Sequence, residues 1–326
     1  MTAGGWTFRV WNGLQDVSRA DWPALDAAKL TLDAPDMHLQ VFRGERLVAR
    51  ASLWATVQAD GPGTGLIGHY AAESLEAGRA LLDEACRRLQ ASGCARVIGP
   101  IDGSTWKPYR LVSDLGTEAP FLLEPSNPHA WNAHFLESGF GVLASYHSAL
   151  SVNPPPDPKM PAVRARLTAS GVSTRAADPA QLEAELEAIH ELAQGSFSRN
   201  LLYSPLSRQD FLALYRPLLS RLPAGFTRIA EHQGQAVGFA FAAPDLLRPQ
   251  NDTLIVKTVG VRRGRLYAGL GRLLAEELHE LARQAGMPRV IHALMHDDNV
   301  SAKTSAHQFV VMRRYALYSR SLLGTT

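Results

Sequence analysis

Residues 258–272 read TVGVRRGRLYAGLGR, a β-rich segment followed by a glycine-containing turn and the start of an apolar helix. A strand is predicted over Thr253–Val261, where β-branched residues dominate. The helix is predicted to end at Gly286, and Val290 opens the next strand. The segment is therefore the turn of a strand–helix–strand unit. The apolar positions that recur at helical spacing are Leu270, Leu274, Leu278, Leu281 and Ala285.

Upstream of this unit, the pattern predicts one strand, two helices and a β-hairpin. The hairpin turns at Gln233-Gly234, a pair of residues typical of tight turns. The order strand, helix, helix, three strands, helix, strand indicates a mixed α/β fold. The predicted elements are the strand Val172–Ala176, helices over 179–193 and Arg208–Leu219, and hairpin strands over 226–231 and 236–242.

The first half of the chain repeats part of this pattern. A shift of 193 positions aligns residues 78–98 with 271–291, and eight of these 21 pairs are identical. Because the identities include the glycines that end both helices and the strand that follows, we infer an internal duplication. The segment 153–161 reads NPPPDPKMP, and its prolines disfavour both helix and sheet interior. We predict a domain over 1–152, a Pro-rich linker over 153–161 and a domain over 162–326.

The composition is that of an ordinary globular protein. A chain of 326 residues, of which 46% are hydrophobic and 20% charged, is long enough for two domains of about 150 residues each. The formal net charge of +2 offers no overall attraction to a polyanion. Cys86 and Cys94 are too few for a disulfide framework or a zinc cluster. We therefore expect a soluble, cytoplasmic protein without a nucleic-acid or membrane partner.

The order of elements and residues 258–272 together resemble the GNAT superfamily of acyl-CoA-dependent N-acetyltransferases. In that family the fourth strand leads into a loop of the form Gln/Arg-x-x-Gly-x-Gly/Ala, whose N–H groups hold the CoA diphosphate. Gly269 and Gly271 occupy the glycine positions, whereas Leu266 replaces the Gln or Arg. The resemblance implies two tandem GNAT-like domains, each a mixed, mostly antiparallel sheet flanked by helices. It also implies acetyl-CoA as the acyl donor.

A phosphate site at this loop is physically reasonable, because unpaired N–H groups and the dipole at a helix N-terminus attract anions. Arg265 and Arg272 could partly replace the charge that Leu266 lacks. Gly260 in a β-branched strand indicates a bulge, which in the family directs an N–H toward the thioester carbonyl. An Asn beyond the fifth strand commonly contacts the pantetheine arm there, and Asn299 is its counterpart. The cofactor-binding residues implied are Val259, Gly260, Val261, Arg265, Leu266, Gly269, Leu270, Gly271, Arg272 and Asn299.

Proton transfer is assigned to two histidines of the last predicted strand. A primary amine with a pKa near about 10 must lose a proton before it attacks a thioester, and Thr253–Val261 contains no carboxylate. His292 and His296 are therefore the candidate bases. Their spacing corresponds to about 13 Å on a strand, which argues against a shared metal ion, and we predict no metal site. The tyrosine that serves as the acid in the family would fall at Ala306.

The resemblance places the acceptor cleft beside residues 197–205 and 241–245. Asp245 could attract a cationic amine, while Phe197 and Tyr203 could contact its apolar part. Phe241 lies in the same predicted region. An ordinary packing role explains these four residues equally well. We expect the acceptor to be an amine of a small molecule or peptide.

The first copy lacks the glycine at the predicted diphosphate loop. Under the same shift, Glu76 stands at the position of Gly269 and Glu73 at that of Leu266. Two carboxylates would repel a diphosphate, so the first copy is predicted to be structural or to shape the acceptor site.

Two other functions remain open from the sequence. The departures at Leu266 and Ala306 are also compatible with a non-catalytic, regulatory CoA-binding protein. A tRNA-dependent aminoacyl transferase is a further alternative, although the near-neutral charge argues against it. The main prediction is an acetyl-CoA-dependent N-acetyltransferase with one active site, in the second half.

Overall fold

The chain forms one mixed β-sheet with helices. The computed structural model describes residues 2–3, 5–12, 25–55, 63–219, 222–298 and 308–323. Within these residues the sheet contains 14 strands, most of them antiparallel, and there are seven α-helices. This arrangement confirms the predicted fold class.

The first half supplies eight strands and three helices of the described chain. In chain order these are β1 (Thr2–Ala3), β2 (Trp6–Asn12), α1 (Ala27–Asp33), β3 (Met37–Arg43), β4 (Arg46–Trp54), β5 (Thr64–Ala72), α2 (Leu75–Ala91), β6 (Arg96–Gly99), β7 (Leu111–Asp114), α3 (Trp131–Glu137) and β8 (Gly141–Val152). Strands β2 to β5 pair antiparallel, and α2 connects β5 to the parallel β6. Ser74 caps α2 by accepting the N–H of Ala77 at 3.2 Å.

After the linker, the second half repeats part of this order, namely three antiparallel strands, a helix and a parallel strand. Its elements are α4 (Met160–Ala169), β9 (Val172–Ala176), α5 (Leu182–Phe197), α6 (Arg208–Leu219), β10 (Thr227–His232), β11 (Gln235–Pro244), β12 (Thr253–Val261), α7 (Leu270–Gln284), β13 (Arg289–His296) and β14 (Val310–Ser321). Short 3₁₀ helices cover Pro179–Gln181, Ala224–Phe226 and Arg265–Tyr267. Strands β12 and β13 are parallel, like β5 and β6, so the duplicated strand–helix–strand unit is present twice.

The last strand of each half completes the sheet of the other half. The strand order is β1-β2-β3-β4-β5-β6-β14-β8-β13-β12-β11-β10-β9, and β7 also pairs with β14. Thus β14 inserts beside β6, while β8 pairs with β13. The two strands also pair with each other along most of their length. The ranges 1–152 and 162–326 remain a proposal about domains, but the sheet itself does not divide between them.

In each half, a hydrophobic core includes part of the strand that comes from the other half. The core around α2 includes Ala316 and Tyr318 from β14, and the core around α7 includes Ala149 from β8. Burial of these side chains stabilises both halves together.

The end of the linker differs from expectation. Met160 and Pro161 begin α4, so the linker is two residues shorter than predicted. Proline is tolerated there because the first turn of a helix has no intrahelical partner for its N–H groups.

Among the described helices, none combines the length and apolar character needed to cross a membrane.

Candidate active site

The turn between β12 and α7 presents backbone N–H groups at a helix start. Gly269 precedes the helix with a φ of 82°, a conformation that strains residues with a side chain. Leu270 is fully buried and anchors the first turn in the core. A Cβ at Gly271 would lie 3.4 Å from the Cγ atoms of Val259 and Val261, which is an ordinary contact. The N–H groups of this first turn have no intrahelical acceptors and can bind an anion.

Side chains from the linker and from α4 surround this turn. Arg166 donates hydrogen bonds to the carbonyl groups of Leu266 and Ala268. The carboxylate of Asp157 lies 2.5 Å from Nε of Arg272. Leu266 is 38% exposed, and it offers no charge at the position where the resemblance expects Gln or Arg. Arg265 is exposed at the same turn.

Strands β12 and β13 separate beyond their first residues. Their pairing runs from Thr253 and Arg289 to Val256 and His292, and each strand continues past this point. On the other side of β12, the register with β11 shifts at Lys257, since Val256 pairs with Ala242 and Thr258 with Phe241. The bulge is therefore at Lys257.

The predicted bulge at Gly260 is wrong. Gly260 pairs regularly with Phe239, and a Cβ there would lie only 2.4 Å from the ring of that residue. Glycine is required by this close packing and not by an irregular backbone. The proposed contact of Val259, Gly260 and Val261 with the acyl donor stays a prediction, and all three residues line the cleft described next.

A large cleft connects the turn before α7 with the point where β12 and β13 separate. It has a volume of about 2110 Å³. Gly271, Arg272, Ala275, Glu276 and His279 line it along one side of α7. Because a helix rises 1.5 Å per residue, this row of side chains spans about 12 Å. The first half contributes the opposite wall through Trp106, Tyr109, Arg110 and β8 residues such as Tyr146.

His292 lies in this cleft against α7. Its Nε2 is 2.8 Å from Nε2 of His279, and its ring stacks on Phe309 at a centroid distance of 4.0 Å. The pKa of His292 is held well below its ordinary value, mainly by burial and secondly by the nearby His279. The imidazole is therefore neutral at pH 7, and a low pKa makes it a weak base.

His296 lies at the end of β13, nearer to the first half. Its ring meets that of Tyr146 edge to face at 4.9 Å. The main-chain N–H of Asp298 donates to Nδ1 at 3.1 Å, and the carboxylate of Asp298 is 3.9 Å from the same atom. Asn299 and Ala306 lie outside the described residues.

Three of the four predicted acceptor residues line the cleft, namely Phe197, Tyr203 and Phe241. The hydroxyl of Tyr203 is buried without a hydrogen-bond partner among the described residues. Asp245 does not belong to the cleft lining found in the described chain. It is 1% exposed, and its Oδ1 accepts the N–H groups of Leu122 at 2.9 Å and Leu247 at 3.2 Å. Asp245 thus joins two loops, and its predicted contact with the acceptor is not supported.

Sequence reasoning missed three charged residues of the cleft, namely Arg110, Glu124 and Lys257. Lys257 belongs to a strand with an otherwise apolar and β-branched pattern, so its charge was the available signal. Arg110 and Glu124 lie in first-half segments without regular periodicity, and only the tertiary fold brings them to the cleft.

In the first half, charged side chains meet near the corresponding opening between β5 and β6. Asp33 lies 2.8 Å from Nε2 of His69 and 2.7 Å from Nζ of Lys107. Asp102 lies 2.6 Å from Nζ of Lys29 and accepts the N–H of His69 at 2.7 Å. Both carboxylates are thus compensated by lysines, so this opening is filled by the chain itself.

No protein-family model matches the chain, and a search of curated proteins finds no similar sequence. A GCN5-related N-acetyltransferase from Sphaerobacter thermophilus matches with a TM-score of 0.54 and 14% identity, over 94% of this chain and 85% of that one. A tandem GNAT protein from the clavulanic acid biosynthesis pathway matches with a TM-score of 0.53 and 14% identity, over 98% of this chain and 100% of that one.

A third structure, a GCN5-related N-acetyltransferase from Anabaena variabilis, matches with a TM-score of 0.56 and 7% identity. The match covers 97% of this chain and 73% of that chain. The chain therefore has the GCN5-related N-acetyltransferase fold in its tandem form, which confirms the fold that the sequence suggested.

Proposed function

We propose that the protein is an acetyl-CoA-dependent N-acetyltransferase that transfers the acetyl group to a primary amine of a small molecule or peptide. The observation that carries this proposal is the continuous cleft from the glycine turn before α7 to the point where β12 and β13 separate. The cleft combines a helix start that can bind an anion with a groove of suitable length for the pantetheine arm of acetyl-CoA. Similarity to structures of known GNAT fold supports the same activity class.

The N–H groups at Gly269, Leu270, Gly271 and Arg272 would hold the diphosphate, with Arg265 near the entrance. The glycines leave the backbone open to a bulky anion. The row of α7 side chains that lines the cleft would border the pantetheine arm. Acetyl-CoA supplies the activated acyl group as a thioester when bound.

The amine would approach from the wall formed by Phe197, Tyr203 and the first half. His296 is the better of the two proposed proton acceptors, because burial holds the pKa of His292 well below its ordinary value and makes that imidazole a weak base. Proton loss from the acceptor gives the free amine, whose lone pair attacks the carbonyl carbon of the thioester. As the C–S bond breaks, the nitrogen would lose its second proton, so that the products are the amide and CoA as the free thiol.

The test is calorimetric titration with acetyl-CoA, combined with detection of free CoA thiol in the presence of an amine panel. One acetyl-CoA should bind per chain. Gly271→Glu should weaken binding at least tenfold, because it places a carboxylate against the diphosphate. Gly271→Ala should bind normally, since its Cβ makes only ordinary contacts, and Gln284→Glu adds the same charge at the far end of α7 as a control. Two equivalent sites, or normal binding by Gly271→Glu, would contradict the proposed cofactor site.

Non-catalytic CoA binding is the second candidate, favoured by two observations. Leu266 supplies no charge at the loop, and Asp157 already neutralises Arg272. Acetyl-CoA binding without thiol release on any amine would favour this function over the transferase.

A further inference from the structure

The floor of the cleft carries positive charge that the described chain does not neutralise. Arg110 arrives from the first half, and Lys257 stands at the bulge of β12. Both line the cleft where β12 and β13 separate. Buried charges of one sign are costly unless a partner of the opposite sign compensates them.

Arg110 is held in a cage of aromatic rings. Its guanidinium carbon lies 4.0 Å from the ring centre of Tyr109, 4.2 Å from that of Tyr146 and 5.9 Å from that of Tyr315. Nη1 donates to the carbonyl of Leu294 at 3.3 Å. The rings attract a cation through their faces but supply no countercharge.

The guanidinium of Arg110 still has donors to offer. The residue is only 8% exposed, and its Nε is buried without a hydrogen-bond partner in the described part of the chain. No carboxylate of the described residues lies within ion-pair distance of it. The planar guanidinium is suited to a carboxylate, which it can contact through two N–H groups at once.

Lys257 adds a second positive group to the same floor. Its Nζ donates to the carbonyl of Leu123 at 3.2 Å. Burial and the charge of Arg110 lower the pKa of Lys257 to about 7, against the opposing effect of Glu124. An anion bound near both groups would offset the electrostatic repulsion between them.

The nearby carboxylate cannot fill this role, because it is already engaged. Oε1 of Glu124 lies 2.8 Å from Nε of Arg313 and accepts the hydroxyl of Tyr315 at 2.5 Å. The side chains of Glu124 and Arg313 are each only 3% exposed, so this is a closed ion pair. Arg110, with Lys257 in its protonated form, therefore remains for a ligand.

We propose that Arg110 and Lys257 bind a carboxylate carried by the substrate, so that the acceptor is an amino acid or a similar amine with a carboxylate. The inference rests on the proposed function, because it names the substrate class of the same cleft. A carboxylate at the end of the transferred acyl group would meet the same two residues. The shared chemistry is the carboxylate, and the experiment separates its two sources.

The acceptor arm compares amines that differ only in the carboxylate, with acetyl-CoA as donor. Phenylalanine is paired with phenethylamine, and lysine with cadaverine. The donor arm compares succinyl-CoA with butyryl-CoA on one amine. In one of the two arms we expect kcat/KM to favour the carboxylate at least tenfold. Arg110→Met, which keeps an apolar stem inside the tyrosine cage, should abolish that preference without changing acetyl-CoA affinity.

Three further measurements keep the test decisive. Arg79→Met removes an exposed arginine of α2 and should leave the preference intact. Circular dichroism reports whether Arg110→Met folds, and Lys257→Met replaces it if it does not. Calorimetry with N-acetylphenylalanine and N-acetylphenethylamine reads carboxylate binding without turnover. Carboxylate binding that depends on Arg110 supports the inference even if acetyl-CoA fails to bind, which would refute only the proposed function. Equal binding and equal rates with and without the carboxylate would overturn the inference.

Discussion

Asp157 and Arg272 form an ion pair at the end of the cleft where we place the CoA diphosphate. Asp157 is buried at the linker, whereas Arg272 is partly exposed at the start of α7. A carboxylate in this position both neutralises the arginine and repels a diphosphate. The linker therefore lines the cleft at the proposed cofactor site, although the sequence placed it between the two halves.

Replacing Asp157 by Asn should strengthen acetyl-CoA binding by about 2- to 10-fold at low salt, because the repulsion is removed and Arg272 is released. The amide oxygen of Asn can still accept the N–H of Lys159, which Asp157 accepts at 3.0 Å, so the local turn is preserved. Calorimetric titration at two ionic strengths measures the effect.

The gain should shrink at high salt, since the Debye length falls from about 10 Å at 0.1 M to about 3 Å at 1 M. Asp298→Asn removes a highly exposed carboxylate elsewhere on the cleft and serves as the matched control. Unchanged or weaker binding by Asp157→Asn would show that this ion pair does not oppose the cofactor.

At the scale of elements, β14 contributes buried residues to the core of the first half. Its residue Tyr318 is 2% exposed, stacks on Phe135 with ring centres 5.4 Å apart and donates to Oδ1 of Asn132 at 2.7 Å. Both partners belong to α3, which lies nearly two hundred residues earlier in the chain. A strand of the second half is therefore part of the first-half core.

Tyr318→Ala should lower the free energy of unfolding by about 3–5 kcal/mol, because it removes a buried aromatic ring and leaves a cavity. Tyr318→Phe retains the ring and should cost only about 1–2 kcal/mol for the lost hydrogen bond to Asn132. Denaturant unfolding, followed by circular dichroism, separates the two effects. Equal and small losses in both variants would mean that β14 does not carry the first-half core.

At the scale of the whole molecule, the cleft and the sheet are both shared between the halves. Trp106 from the first half donates to the carbonyl of Ser204 at 2.8 Å and contacts the rings of Phe197 and Tyr203. The proposed acceptor wall thus includes residues of both copies. Loss of either half would remove part of the wall and leave strand edges unpaired.

The fragment 160–326 should therefore aggregate or remain unfolded when produced alone, because β13 would lose β8 and β14 would lose its partners on both sides. Co-production with residues 1–159 should restore a soluble complex. Size-exclusion chromatography and circular dichroism measure both outcomes. As a control, a protease site inserted between Pro155 and Pro156 should allow cleavage without separation of the pieces. A soluble fragment 160–326 with full activity toward the same acceptor would contradict this expectation.

Local pattern was sufficient for the elements and for the duplication. Helix Arg208–Leu219 and strand Thr253–Val261 were predicted with the bounds that the structure has. Their apolar spacing and β-branched composition are short-range properties, and glycine at position 269 reports a backbone conformation that few other residues adopt. For the same reason, the sequence alone was enough to suggest the fold and the cofactor loop.

Only the tertiary structure decided the strand exchange and the composition of the cleft. The pattern of β8 or β14 is the same whichever half it completes, because strand periodicity does not specify the neighbouring strand. Likewise, the close approach of Phe239 to Gly260, the packing of His292 against His279 and the contacts of Asp245 with two loops depend on residues distant in sequence. Arg110 and Lys257 share one cleft floor for that reason as well. Their charges were visible in the sequence, but their common environment is created by packing between the halves.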